Sequence, residues 1–233
     1  MNYCIINGTD SRTINGLLIQ QLPLIKKPSM RTTIEEIDGR DGDIVTKLGY
    51  SAYDKEMTIG LHKNFDIDEV IEYFNQDGVV VFSNEADKYY KFKMISEIDF
   101  ERLLRFRTAT ITFHVQPFKY KLNESELTFD TSELESVTVE NVGNVYSKPT
   151  ITLTGSGIIN LSLNGYQIFS VDLTDDSYIT IDAEELEAYS GGVLKNRLVT
   201  GDIDSLKLEK GNNVFTWSGE LTEISIINYT RWL

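Results

Sequence analysis

Apolar and polar positions alternate with a period of two along most of this chain, and with a helical period in only one place. In RTATITFHV (107–115), Ala109, Ile111, Phe113 and Val115 alternate with Thr108, Thr110, Thr112 and His114. That period marks a strand with one buried face. GVVVFS (78–83) and YYKFKMI (89–95), joined by the polar NEADK, predict a hairpin, and LLIQQLPLI (17–25) and SAYDKEMTIGLHK (51–63) read as further strands. The exception is NFDIDEVIEYFNQDG (64–78), where Ile67, Val70, Ile71 and Phe74 form one apolar stripe. A helix is predicted over 66–77. Asp66 caps it, Glu69 completes a capping box, Phe65 and Val70 staple it, and Gly78 ends it in a left-handed C-cap.

After QPFKY (116–120) the pattern changes. KLNESELTFDTSELESV (121–137) is polar, acidic and weakly periodic, and the domain boundary is placed in it: a first domain over 1–125 and a second over 136–233. Short alternating segments then recur at close spacing, with Asn164-Gly165 and Gly211-Asn212 as hairpin-turn signals. TGSGIIN (154–160) reads as a turn between two strands. The expected fold class is mainly β: an α+β first domain with one helix, followed by a β-sandwich.

Charge sharpens the division. Residues 1–120 carry 15 Lys and Arg against 18 Asp and Glu, and residues 121–233 carry 7 against 18, so −3 and −11 make up the total of −14. A chain this acidic is not expected to bind nucleic acid, which requires basic patches to displace phosphate counterions. No apolar run approaches the length needed to span a bilayer, and no basic-then-apolar leader is visible at the start, so synthesis in a cytoplasm is the expectation. The single cysteine, Cys4, excludes an internal disulfide and reads as a packed strand residue.

Candidate chemistry is sparse. EEIDGRDGDIVTKLGY (35–50) gathers seven charged residues and three glycines, yet Asp38, Asp41 and Asp43 do not fit the spacing of a calcium loop, and Arg40 places a cation where a ligand would sit. Gly39, Arg40, Asp41, Gly42 and Asp43 therefore read as a turn in which the glycines supply positive φ. His62 and His114 form no metal-ligand spacing, and there is no nucleophile elbow, P-loop or dinucleotide fingerprint. Neither a cofactor, a metal nor an enzymatic activity is expected. Trp217 and Trp232 fall in the sandwich region; Trp217 is the candidate glycan contact in an alternative reading as a carbohydrate-binding module, although a packed tryptophan is the commoner arrangement.

Four stretches together resemble the distal tail protein family of siphophages and prophages of Gram-positive hosts. They are IDGRDGDI (37–44), similar to that family's Gly-Arg-Asp-Gly turn; ITFHVQPFKY (111–120), similar to the strand closing its first domain; VENVGNVYSKPTITLTGSGIINLSLNG (139–165); and the terminal INYTRWL (227–233). The resemblance spans essentially the whole chain. It implies a β-rich first domain, a galectin-like β-sandwich, and a homo-oligomeric, six-fold ring in the virion that joins the tail tube protein to a tail-tip or tail-associated lysin-type protein, with receptor-binding proteins as further partners. It also implies that Gly39–Asp43 is the turn of a hairpin arm serving ring formation, with Arg40 pairing a carboxylate on the same or the next subunit. A sugar site does not carry over. Galectins use a His-x-Asn-Pro-Arg strand, and residues 121–233 contain no histidine, so the second domain is expected to be a spacer or docking surface.

Overall fold

The computed structural model describes residues 1–94 and 100–233; Ile95, the last position of the expected 89–95 strand, lies outside them. The chain divides into two compact units, Met1–Leu122 and Asn123–Trp232. Both are dominated by antiparallel strands, as the alternation predicts.

The first unit contains β1 (Cys4–Ile6), β2 (Thr9–Asp10), β3 (Leu17–Gln21), β4 (Met30–Glu36), β5 (Asp43–Tyr50), β6 (Tyr53–Leu61), helix α1 (Ile67–Phe74), β7 (Gly78–Phe82), β8 (Lys88–Met94), helix α2 (Phe100–Phe106) and β9 (Thr108–Lys121). Its main sheet runs β2-β1-β7-β8-β9-β6-β3, and β4 and β5 form a separate two-stranded sheet. The inward phase of β9 is the predicted one, with Ala109, Ile111, Phe113 and Val115 all buried. Phe113 stacks edge-on against Phe82 and Phe92 at 5.4 and 5.2 Å. Pro117 sits where the β8–β9 register slips, between the Tyr90↔Lys119 and Phe92↔Val115 pairs. A proline without an N–H is tolerated in such a bulge.

Helix α1 starts where expected. The Asp66 carboxylate accepts from the amides of Asp68 and Glu69 at 3.0 and 3.4 Å, and Val70, Tyr73 and Phe74 bury its inner face. Two details differ from the sequence reading. Glu69 turns away from the cap and accepts from the Asn15 amide at 3.4 Å, so only half the capping box forms. The helix stops at Phe74, with Asn75 as its C-cap, and Gly78 opens β7 with φ of 140°. Gly78 is required there because an added Cβ would lie 2.1 Å from the Asn7 side chain, which itself accepts from the Val79 amide at 2.9 Å. The short helix α2 is a second helix that the sequence reading did not single out; seven residues hold too few turns to display a periodic stripe.

The second unit wraps β10 (Glu126–Asp130), β11 (Ser136–Asn141), β12 (Thr150–Leu163), β13 (Tyr166–Leu173), β14 (Tyr178–Asp182), β15 (Glu187–Ser190), β16 (Val193–Leu194), β17 (Val199–Gly201) and β18 (Gly211–Ile227) around one apolar core. Strand β10 lies in the polar stretch left between the two expected domains. It pairs along its whole length with β18, and the partly buried Phe129 packs on the core. One apolar contact suffices for an edge strand that the composition alone presents as linker.

The long strands β12 and β18 organise this unit. One half of β12 pairs with β14 and the other with β13, while β18 pairs with β10 at one end and β11 at the other. The change of neighbours coincides with register shifts at Thr154/Gly155 and Ser156/Asn160. TGSGIIN is thus a bend inside a continuous strand, not a turn between two. Glycine is obligatory at its crossing points: an added Cβ at Gly155 would meet the Glu220 carbonyl at 2.2 Å, and one at Gly219, whose φ is 102°, the Ile158 carbonyl at 2.3 Å. Asn164-Gly165 forms the predicted two-residue turn, with φ of 51° and 85° between the paired Leu163 and Tyr166. Gly211-Asn212, by contrast, is the entry to β18, paired with Asn141 and Glu140.

Replacing Gly219 by alanine therefore places a Cβ against backbone at a strained φ, and a loss of about 2–4 kcal/mol is expected in urea unfolding of the chain. A shift below about 0.5 kcal/mol, the range of neutral surface changes, contradicts the bend as described.

Candidate assembly site

The hairpin of β4 and β5 carries the residues singled out in the sequence. Its register pairs Glu36 with Asp43, Glu35 with Ile44, Ile34 with Val45 and Thr33 with Thr46, and slips between Arg31 and Thr32, where Leu48 is the extra residue. Six residues, Ile37 to Gly42, close the tip. The Arg40 amide donates to the Ile37 carbonyl at 3.1 Å, and Gly39 and Gly42 take φ of 80° and 78°. An added Cβ at either glycine meets nothing within 4 Å, so the conformation, not lack of room, demands glycine. The tip is thus a turn.

The arm buries almost nothing. Every residue of β4 is exposed, and in β5 only Ile44 and Tyr50 are half-buried. Ile34, Val45, Leu48 and Ile37 are 59%, 55%, 56% and 47% exposed. An isolated two-stranded hairpin is at best marginally stable in water, and among the described residues neither edge of this one pairs with another strand. Among the described residues, Arg40 makes no ion pair with any carboxylate of its own chain. Of the two expected partners for Arg40, same-subunit and next-subunit, the first is not formed.

The root of the arm is held firmly. Between β3 and β4 the chain presents three carbonyls to side chains of β6 and of the β7–β8 connection. Asn84 Nδ2 donates to Pro23 at 3.0 Å, Lys55 Nζ to Leu24 at 3.0 Å and Tyr53 Oη to Lys26 at 3.4 Å. The Ser51 amide donates to the Ser29 carbonyl at 2.9 Å, and Tyr50 packs edge-on to Phe118 at 5.8 Å. Pro23 and Pro28 are buried in this connection and fix two of its φ angles.

Lys55 is the centre of the root. It is 2% exposed, lies on the inward phase of β6 with Met57 and Ile59, and sits 4.5 Å above the Tyr90 ring. Burial pulls its pKa down to about 8, opposed by the nearby Glu85 carboxylate. Glu85 in turn accepts from Tyr90 Oη at 2.5 Å and from Lys119 Nζ at 2.6 Å. Although burial disfavours its charge, these donors hold the Glu85 carboxyl below the usual range. Desolvation also pushes the Tyr53 hydroxyl up to about 12. None of these five groups stands out in the sequence reading, although a lysine on the apolar phase of a strand is a legible signal.

The other expected sites are placed as follows. Trp217 stands opposite the fully buried Leu161 and packs, half-buried, on the sandwich core. Cys4 is buried against Tyr73, and desolvation raises its thiol to about 11, which leaves it protonated and inert as a nucleophile. His114 pairs with Asp54 across the outer face of the sheet at 2.7 Å. Among the described residues no group of three or more His, Cys, Asp or Glu side chains gathers at one point, and no helix is long and apolar enough to cross a membrane.

Two motifs far apart in sequence meet in the second unit. Asn141 donates to the carbonyls of Leu208 and Val145 at 2.9 and 3.0 Å and accepts from the Gly143 amide at 2.9 Å. Ser147 donates to Asn228, whose amide reaches Thr230 at 3.1 Å. Arg231, 3% exposed, donates from Nε to the Tyr146 carbonyl at 2.7 Å and lies 4.6 Å over that ring, with Glu184 at 3.7 Å. The 139–147 run and the INYTRWL ending are therefore two halves of one buried polar cluster.

No family model matches the chain, and no curated protein does. Solved structures do. The chain is similar to the crystal structure of Dit (gp 19.1) of phage SPP1, with a TM-score of 0.71 over 100% of both chains at 17% identity. That protein is described as a paradigm of the hub adsorption apparatus of phages infecting Gram-positive bacteria. The chain is also similar to a component of the phage p2 baseplate in its activated conformation with strontium, with a TM-score of 0.50 over 97% of this chain and 98% of that one at 12% identity. At these identities the likeness is one of fold: the chain has the fold of a phage hub protein along its entire length, mainly β as expected.

The pKa of Lys55 has a testable consequence. Its folded value, about 8, lies below the ordinary 10.5, so between those values the unfolded chain binds more protons and stability rises with pH. The unfolding free energy of the protein relative to Lys55→Met is expected to increase by about 1–3 kcal/mol from pH 8 to pH 10.5. Parallel pH profiles for the two proteins contradict an uncompensated, buried Lys55.

Proposed function

We propose that this chain is a structural hub protein of a phage tail tip. It assembles with copies of itself into a ring, six-fold in the resembling family, which joins the tail tube protein to the tip protein and the receptor-binding proteins. The single observation that carries this reading is the match in fold to SPP1 Dit over all of both chains. The residues add support. Among the described residues no group of three or more His, Cys, Asp or Glu side chains gathers at one point, and the β4–β5 arm exposes apolar and charged side chains together in the manner of an interface waiting for its partner.

In this reading Gly39, Arg40, Asp41, Gly42 and Asp43 form the assembly tip, with Arg40 pairing a carboxylate of the next subunit. The sandwich serves as a spacer or docking surface. The placement of Trp217 on the core supports packing over sugar stacking. The net charge of −14 suits a ring whose lumen passes DNA, since phosphates find no surface that releases counterions.

Negative-stain electron microscopy of the purified protein, with mass from light scattering on the same sample, tests the proposal. Rings with a central pore are expected, and Arg40→Ala with Asp41→Ala is expected to weaken assembly. A chain that stays monomeric, or rings untouched by the double substitution, contradicts the ring or the role of the tip respectively.

A further inference from the structure

One surface of the first unit is unlike the rest. At the end of α2, Leu103 is fully buried, yet Leu104 and Phe106 are 45% and 62% exposed. Two guanidiniums flank them. Arg105 lies 5.4 Å from the Phe106 ring and Arg107 lies 4.4 Å from the Phe65 ring. The backbone fixes this end of the helix: the Arg107 amide donates to Leu103 at 2.8 Å, its carbonyl accepts from Leu61 at 3.1 Å, and its φ is 59°. A non-glycine residue at positive φ costs free energy and persists where the surroundings over-determine it. Among the described residues neither Arg105 nor Arg107 makes an ion pair. The result is an apolar patch edged with positive charge that no described carboxylate pairs.

The tip of the arm has the complementary composition. Glu35, Glu36, Asp38, Asp41 and Asp43 surround the single cation Arg40, beside the exposed Ile34 and Ile37. None of these carboxylates makes an ion pair among the described residues. Eight-residue β5 gives the arm a length of about 26 Å, enough to reach a neighbouring molecule.

We propose that the arm tip of one copy docks on the Leu104–Arg107 surface of a second copy, apolar side chain to apolar side chain and carboxylate to guanidinium. The inference rests on the self-assembly reading above and names the surface that receives the arm. Because donor and receiver are different surfaces of one chain, the contact is head-to-tail, the kind that closes into a ring when the rotation per subunit allows it. Like charges brought together in such a contact cost far more than a rim charge in solvent.

Charge exchange in the full-length protein tests this, read by sedimentation and light scattering against concentration. Arg105→Glu with Arg107→Glu is expected to weaken self-association at least ~10-fold, as is Glu35→Lys with Glu36→Lys, and the four changes together to recover most of the loss. Arg105→Glu alone, which leaves the Arg107–Phe65 stack intact, is expected to act in the same direction, and circular dichroism checks that each variant is folded. Association weakened by the arm reversals but not by either arginine variant overturns the receiving surface while leaving the arm's role standing. Two charge-reversed pairs that do not compensate each other overturn the pairing itself, and a parent protein that never associates overturns both it and the self-assembly reading.

Discussion

A β-hairpin with no core of its own sets the terms for the rest of this molecule. Among the described residues the backbone of β4 and β5 pairs only across the hairpin, and apart from the half-buried Ile44 and Tyr50 its side chains are exposed. Fixing some twenty residues costs about 1–2 kcal/mol each in backbone entropy, and one ladder of hydrogen bonds in water does not offset that. The arm is therefore ordered from its two ends. At the root, three side chains hold the carbonyls of Pro23, Leu24 and Lys26, and Lys55 is kept buried against its own desolvation to supply one of them. At the tip, the apolar and acidic groups stay exposed, and nothing among the described residues covers them.

The two units solve the remaining problems in different ways. In the first, a single well-alternating sheet and one capped helix enclose the core, and the polar cluster of Lys55, Glu85, Tyr90 and Lys119 is used to carry the arm. In the second, two long strands serve both halves of the unit, which is possible only because Gly155 and Gly219 let their backbones cross at contact distance. The buried cluster around Asn141 and Arg231 then fixes residues 228–231 to the end of β11 and the segment that follows it. A buried guanidinium is retained at a desolvation cost, and removing any one partner leaves the others unpaired.

Most of the architecture was legible in the sequence, for identifiable reasons. Period-two alternation located β9 and the β7–β8 hairpin, and Asp66 located the start of α1. Asn164-Gly165 was read correctly because the turn chemistry is local. The misreadings arose where tertiary contact decided the outcome. Gly78 and the TGSG run looked like stop signals, but their glycines answer to close approach by Asn7 and by β18, and nothing in a linear pattern reports on that. Strand β10 was lost in an acidic stretch because an edge strand needs few apolar residues. The turn at Gly39–Asp43 is legible from its glycines; the cluster that anchors its arm is not, because its members lie far apart in sequence and only the fold brings Tyr53, Lys55, Asn84 and Glu85 together.

The arm is held at its root, and in the proposed assembly a second copy completes it. Hydrogen–deuterium exchange, resolved by peptide, tests it directly in the isolated chain and in the assembled state. Fast exchange is expected over 30–50 in the monomer, with slow exchange at Tyr53–Leu61 beside it and protection of the arm on assembly. An arm already protected in the monomer, or one that stays unprotected in the assembled ring, contradicts it.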